Sequence, residues 1–226
     1  MATTYNPRII TDGMVLCLDA ANTQSYPGSG TAWTDLSENR NAVTLSNGPT
    51  FSSADRGNIA FDGSNDYADF FAPNLGTTTT VEMWCKIGAG YTDKMFFGWF
   101  DYDVWCNNGN IGYNTGVVDQ RGISSATVTA LGLVNNWKHY IFEMRTDVSY
   151  TNNKIYVNTS SQTLTQLQGT EGSRSFNSGN GRIAVWRKDL VYCMPMNLAS
   201  FRVYNRALTQ AEIQQNFNAT RGRFGV

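Results

Sequence analysis

The segment NLASFRVYNRALTQAEIQQNFNATRG, Asn197 to Gly222, constrains the chain more than any other. From Leu198 to Tyr204, β-branched and aromatic residues alternate. This sets Leu198, Ser200, Arg202 and Tyr204 on one side of a strand and Ala199, Phe201 and Val203 on the other. Such a strand is half-buried. Five residues later Thr209 and Glu212 stand at capping-box spacing. The Thr hydroxyl accepts from the Glu212 N–H while the Glu carboxylate reaches back to the Thr209 N–H. A cap of this kind contributes about 1 kcal/mol. Leu208 and Ile213 occupy the two staple positions, Ile213 and Phe217 share one helix face, and Gly222 is a stop signal. The spacing predicts a short helix over about 209–219.

The rest of the chain carries strand signals without an internal repeat or low-complexity linker, so residues 1–226 read as one domain. Met14 to Asp19 is a short strand. Ala21 to Pro49, rich in Asn, Ser, Gly and Thr, is an excursion over the surface, with Trp33 as a plug over the core edge. Asn58 to Asp62 and Tyr67 to Phe71 are strands around the turn GSND, and Thr79 to Ile87 is a strand in which Val81, Met83 and Cys85 alternate. Lys94 to Asn114 reads as a long strand turning back at Asn107 to Asn110. Trp137 to Met144, Lys154 to Val157 and Gly179 to Trp186 complete the set. The class is all-β.

Composition excludes several functions. At 226 residues the chain buries roughly 70–75% of its unfolded surface, enough for a core without staples. A net charge of −1 with scattered Lys and Arg offers no basic stripe for nucleic acid. No apolar run approaches the roughly 20 residues of a membrane span, and the polar start MATTYNPR lacks a signal peptide's apolar region. The expectation is a soluble protein made in a cytoplasm. Cys17, Cys85, Cys106 and Cys193 are widely separated and none forms a CxxC pair, so buried reduced thiols are expected.

Three places could carry chemistry. Alternation through Lys94 to Asn114 groups Phe97, Trp99, Asp101, Asp103 and Trp105 on one face, with Phe96, Phe100, Tyr102, Val104 and Cys106 on the other. Indole rings stack on the C–H faces of sugars and carboxylates bond hydroxyls, so Trp99, Asp101, Asp103 and Trp105 form a candidate glycan groove. The competing reading packs both indoles in the core. Asp62-Gly-Ser-Asn-Asp66 places oxygen side chains at alternate positions, as an Asx-rich turn does. It is not an EF-hand, because Tyr67 stands where Gly is needed and Pro73 where a bidentate Glu is needed. His139, without a nucleophile motif around it, reads as a packed or edge histidine.

The closing segment resembles that of the laminin-G-like or concanavalin-A-like lectin/glucanase domains. So do DGMVLCLDAANTQSYPGSGTAWTDLS at Asp12 to Ser37, IAFDGSNDYADF at Ile59 to Phe70, TVEMWCK at Thr80 to Lys86, NNWKHYIFEM at Asn135 to Met144 and KIYVN at Lys154 to Asn158. The resemblance implies a two-sheet antiparallel jelly-roll sandwich with one short C-terminal helix, and it pairs Met14 to Asp19 with the last strand. It adds a calcium ion held by Asp62 and Asp66 as an alternative to the plain turn. Jelly-roll glucanases carry ExDxxE on one strand, whereas this chain has Asp101-x-Asp103-x-x-Cys106, so the acid/base role has no occupant and no enzyme activity is expected. The opening and closing segments also resemble those of tailed-phage virion proteins. That implies a non-enzymatic structural or adhesive component of a capsid or fibre, located in the virion. Its partners are other virion proteins, a host-surface glycan and further copies of itself. A glycan-binding module is the alternative, with a glycoside hydrolase a distant third.

Overall fold

The computed structural model describes residues 7–176 and 179–226. In chain order the elements begin with β1 (Met14–Asp19), β2 (Thr44–Ser46), β3 (Thr50–Ser52), β4 (Asn58–Asp62), β5 (Tyr67–Phe71) and β6 (Thr78–Ile87). Next come β7 (Lys94–Gly98), β8 (Asp103–Asn107), β9 (Asn110–Asn114), β10 (Gln120–Ile123) and α1 (Ser125–Ala130). The chain continues with β11 (Trp137–Arg145), β12 (Lys154–Val157), β13 (Ser160–Ser161), β14 (Thr165–Gln168), β15 (Asn180–Ile183), β16 (Pro195–Tyr204) and α2 (Gln210–Thr220). The strands form two antiparallel sheets. The back sheet runs β13-β12-β11-β6-β16-β4-β3 with β1 also on β16, and the front sheet runs β14-β10-β9-β8-β7-β15-β5-β2. Asp62 to Asp66 carries the chain from one sheet to the other, so β4 and β5 are not a hairpin.

The expected pairing of the chain's ends is present, and it brings a feature that alternation misses. β4 lies along Pro195 to Leu198 and β1 along Ser200 to Tyr204, end to end on the same edge of β16. Where one gives way to the other, the register of β16 against β6 slips between Leu198 and Ser200. That bulge reverses the period. Leu198 therefore joins Phe201 and Val203 in the core, rather than facing outward with Ser200, Arg202 and Tyr204 as predicted. Val81, Met83 and Cys85 point into the same core, and so does Trp33, fully buried from the long excursion. Each large side chain buried there contributes roughly 1.5–3 kcal/mol. All four thiols are buried and unpaired.

Helix α2 closes the outer side of the back sheet. Its capping box is formed as read, with Thr209 and Glu212 bonded reciprocally, and Arg206 clamps the same carboxylate at 2.8 Å. Leu208 and Ile213 pack with Tyr204, Ile141 and Tyr156. Beneath the helix lies a polar cluster centred on Glu82. This carboxylate accepts from Arg202 at 3.0 Å, His139 Nε2 at 2.9 Å, Asn216 Nδ2 at 2.7 Å and Tyr204 at 3.2 Å. Glu82, Arg202 and His139 are all buried. Burial alone raises the Glu82 pKa, but Arg202 and the His139 and Asn216 hydrogen bonds outweigh it and hold the group at about 2. His139 is thus a packed histidine.

Glu82→Ala strands Arg202 in the interior and should cost about 3–5 kcal/mol in urea unfolding. Because the folded pKa lies below the unfolded value, the stabilisation is complete above about pH 4.5. It fades as pH falls toward about 2. A Glu82→Ala protein as stable as the parent would show that the cluster is not what holds α2.

Candidate functional site

The outer face of the front sheet is concave and lined with polar side chains. Asp103 pairs with Asn114, Trp105 with Gly112 and Asn107 with Asn110, while Gly122 follows Gly112 on the next strand. Asn107 on β8 and Gln168 on β14 lie three strand spacings apart, roughly 14 Å in a flat sheet. Their amides nevertheless meet, and Gln120 Nε2 on β10 donates to Trp105 O on β8 at 3.2 Å. The sheet has rolled inward. The glycines permit it, since a Cβ on Gly122 would sit 2.0 Å from Ile111 O and one on Gly112 2.5 Å from Arg121 O. As a result Asp103, Trp105, Asn107, Asn114 and Gln120 are buried although none faces the core between the sheets.

The structure separates the four residues that alternation grouped. A bulge between Met95 and Phe97 turns both Phe96 and Phe97 inward, and the chain then reverses between β7 and β8, where Trp99 N donates to Tyr102 O at 3.0 Å. Trp99 is a core residue, T-shaped against Phe70 and Phe176 with its indole donating to Gly179 O. Asp101 lies in the turn, ion-paired with Lys188 at 2.8 Å. Asp103 and Trp105 share the concave face. Cys106 points into the core, so a carboxylate there would not reach the face of Asp103. In Asp62 to Asp66 both carboxylates serve the turn: Asp62 Oδ1 accepts Ser64 N at 2.7 Å and Asp66 Oδ2 accepts Asp62 N at 3.0 Å. No group of three or more His, Cys, Asp or Glu side chains placed to hold a metal ion is found among the described residues.

What the concave face exposes comes from a segment that sequence reading passed over. Between β15 and β16 the chain folds back across β7 and β8. Its ends are fixed by Met194 N to Ala184 O at 2.8 Å and by Met95 N to Tyr192 O at 2.8 Å. Its tip reaches the Asp101 turn, where the Lys188 ammonium also stands 4.7 Å from the Phe100 ring centre. Trp186 packs on Tyr192. The result is a surface on which Phe100 is 47% and Tyr192 44% exposed, beside an ammonium–carboxylate pair. Rings offer stacking faces and the charged pair offers donors and acceptors for hydroxyls. The run Trp186-Arg187-Lys188-Asp189-Leu190-Val191-Tyr192 breaks strand alternation while staying aromatic and charged, which is the signal that marks it.

Residues 62–214 match a laminin-G-like family described as the concanavalin A-like lectin/glucanases superfamily, and the chain belongs to that family. Comparison with curated proteins found no match. Among solved structures, the receptor binding domain of botulinum neurotoxin C/D mosaic serotype is similar over 92% of this chain and 51% of its own, at 13% identity and a TM-score of 0.63. The botulinum neurotoxin serotype D ligand binding domain in complex with N-acetylneuraminic acid matches at 13% identity and a TM-score of 0.64, over 92% of this chain and 51% of that one. The binding domain of botulinum neurotoxin DC in complex with SialylT matches at 10% and 0.62, over 93% and 52%. The chain spans about half the length of these structures, and at such identity the likeness is one of fold. The sandwich is thus lectin-like.

Asp103 is the titratable group most altered by this closure. Burial, with Asp119 adding its charge, lifts its carboxyl to about 8 against the pull of Asn114 and Lys188. A folded pKa above the unfolded one contributes stability that is complete at about pH 4 and is lost as pH rises through about 8. Asp103→Asn should therefore flatten this dependence and stabilise the fold by ~2 kcal/mol at alkaline pH. Urea unfolding of both proteins at acid and alkaline pH checks it.

Proposed function

We propose that the chain is an adhesive, non-catalytic lectin-like domain that binds surface glycans across the front sheet. Phe100 and Tyr192 stack on sugar rings, and Lys188 and Asp101 bond their hydroxyls. The observation that carries this reading is the pair of exposed rings flanking the Lys188–Asp101 ion pair at the mouth of a concave sheet. Fold neighbours determined with N-acetylneuraminic acid and with SialylT support it. The setting we propose is the virion of a tailed phage, in a capsid decoration or fibre made of several copies. The resemblance of the opening and closing segments to virion proteins supports this. Antibody labelling of purified particles tests that setting.

Binding is tested by pull-down on isolated bacterial surface polysaccharides. Phe100→Ala and Lys188→Ala should each lower affinity about tenfold, the worth of roughly 1.4 kcal/mol. Stability should change by no more than about 0.5 kcal/mol, as expected for surface positions. Calcium and chelator should make no difference, given the turn at Asp62 to Asp66. Wild-type protein that retains no polysaccharide, or variants that bind equally well, would remove the front-sheet assignment.

A further inference from the structure

A second groove lies on the opposite sheet, at the edge of the surface that α2 covers. It measures about 320 Å³ and is lined by Asp55, Lys86, Asn135, Asn136, Trp137 and Phe224, among others. Its aromatic floor is built rather than incidental. Phe217, Trp84 and Phe224 stack in succession, Trp84–Phe224 at 4.2 Å, and Trp137 follows at 4.8 Å from Phe224. The Trp137 indole N–H donates to Asp55 Oδ2 at 2.7 Å, which fixes the ring. Arg223, bonded to Asp19 at 2.8 Å and to Gly57 O at 3.0 Å, holds the segment that delivers Phe224.

The polar groups are also placed. Asn136 Nδ2 donates to Gly132 O at 3.2 Å and Val134 O at 3.1 Å, leaving its carbonyl oxygen to accept from a ligand. Asn135 is held with φ 59° by its N–H bond to Ile87 O at 2.7 Å, and its side chain is exposed. Lys86 stands 5.5 Å from the centre of the Trp137 ring, and Lys138 lines the same groove. Among the described residues neither lysine forms an ion pair, while the one side-chain carboxylate lining the groove, Asp55, is engaged by Trp137. The Lys86 ammonium therefore stands beside a half-exposed indole and the amides of Asn135 and Asn136, in a space of monosaccharide size.

We infer that this groove is a ligand site for an acidic saccharide, a sugar ring bearing a carboxylate. Lys86 takes the carboxylate, Asn135 and Asn136 take ring hydroxyls, and Trp137 and Phe224 take the apolar face. The site uses no residue of the front sheet, so it stands or falls independently of the glycan surface there. A chain with both would bind on two opposite faces, and a saccharide network could be bridged by one molecule.

The test is an NMR titration of the whole chain with glucuronate, glucose and acetate, following the Trp137 indole N–H resonance, identified by its loss in Trp137→Phe. Glucuronate should shift that resonance saturably, with little response to glucose or acetate. Lys86→Gln should weaken glucuronate binding about tenfold, the worth of a charge-assisted hydrogen bond. Lys188→Gln on the front sheet should leave it unchanged. The inference is overturned by an absent or unsaturable shift, by acetate acting as well as glucuronate, or by a Lys86→Gln protein that binds normally.

Discussion

The fold depends on a charge placed where charge is expensive. Glu82 sits in the middle of β6 on the outer face of the back sheet, and α2 removes it from water. A lone carboxylate there would be neutralised or would exclude the helix. Instead, the groups that satisfy it arrive from three separate elements of the chain. Arg202 and Tyr204 come from β16, His139 from β11 and Asn216 from α2. Asn216 passes the connection on, because its Oδ1 accepts Ile10 N at 2.7 Å, and Tyr204 reaches Ile10 O at 3.1 Å. Ile10, the three adjacent strands β11, β6 and β16 and the helix α2 thereby agree on one register. An apolar seam would allow α2 to slide; the bonds that converge on Glu82 form in one position only.

The two outer faces solve the same problem in opposite ways. The back sheet accepts a helix, α2, and the aromatic stack of Phe217, Trp84 and Phe224 extends its cover to the edge. The helix against the front sheet is the six-residue α1 on β9, and the sheet otherwise covers itself. Gly112 and Gly122 let β9 and β10 approach until amides on β8 and β14 meet, which buries a row of Asn, Gln and Asp side chains. Proton affinity follows from this difference. Glu82, buried beside a guanidinium, stays ionised, while Asp103, buried among amides with Asp119 nearby, keeps its proton near neutrality.

Local code made the closing helix legible: the capping box and the staple residues follow from spacings within a few residues, whereas the strand expected to be half-buried is buried on both faces because α2 covers its outer side. The hairpin at Asn107 to Asn110 was legible for the same reason, as were Lys154 to Val157 and the bounds of β4 and β5. Two single-residue bulges were not. One at Ala199 arises because two strands share an edge of β16, and one near Phe96 turns adjacent phenylalanines inward; neither has a local signal, and each flips a face. The candidate groove suffered most. Its four residues straddle the second bulge and a tight turn, so Trp99 went to the core and only Asp103 and Trp105 stayed together. α1, six residues capped by Ser124, is too short to show a period.

The segment that folds over the front sheet begins and ends on one backbone hydrogen bond, Met194 N to Ala184 O. Its anchors therefore remain in place whatever lies between them. Lengthening such a loop costs little, about 0.6 kcal/mol for each doubling, since the ends are already joined by the sheets. Residues 186 to 192, between the buried Val185 and Cys193, can thus be exchanged as a cassette. A lineage could change what this surface touches by rewriting these positions while Glu82 and the glycine pair keep the scaffold unchanged.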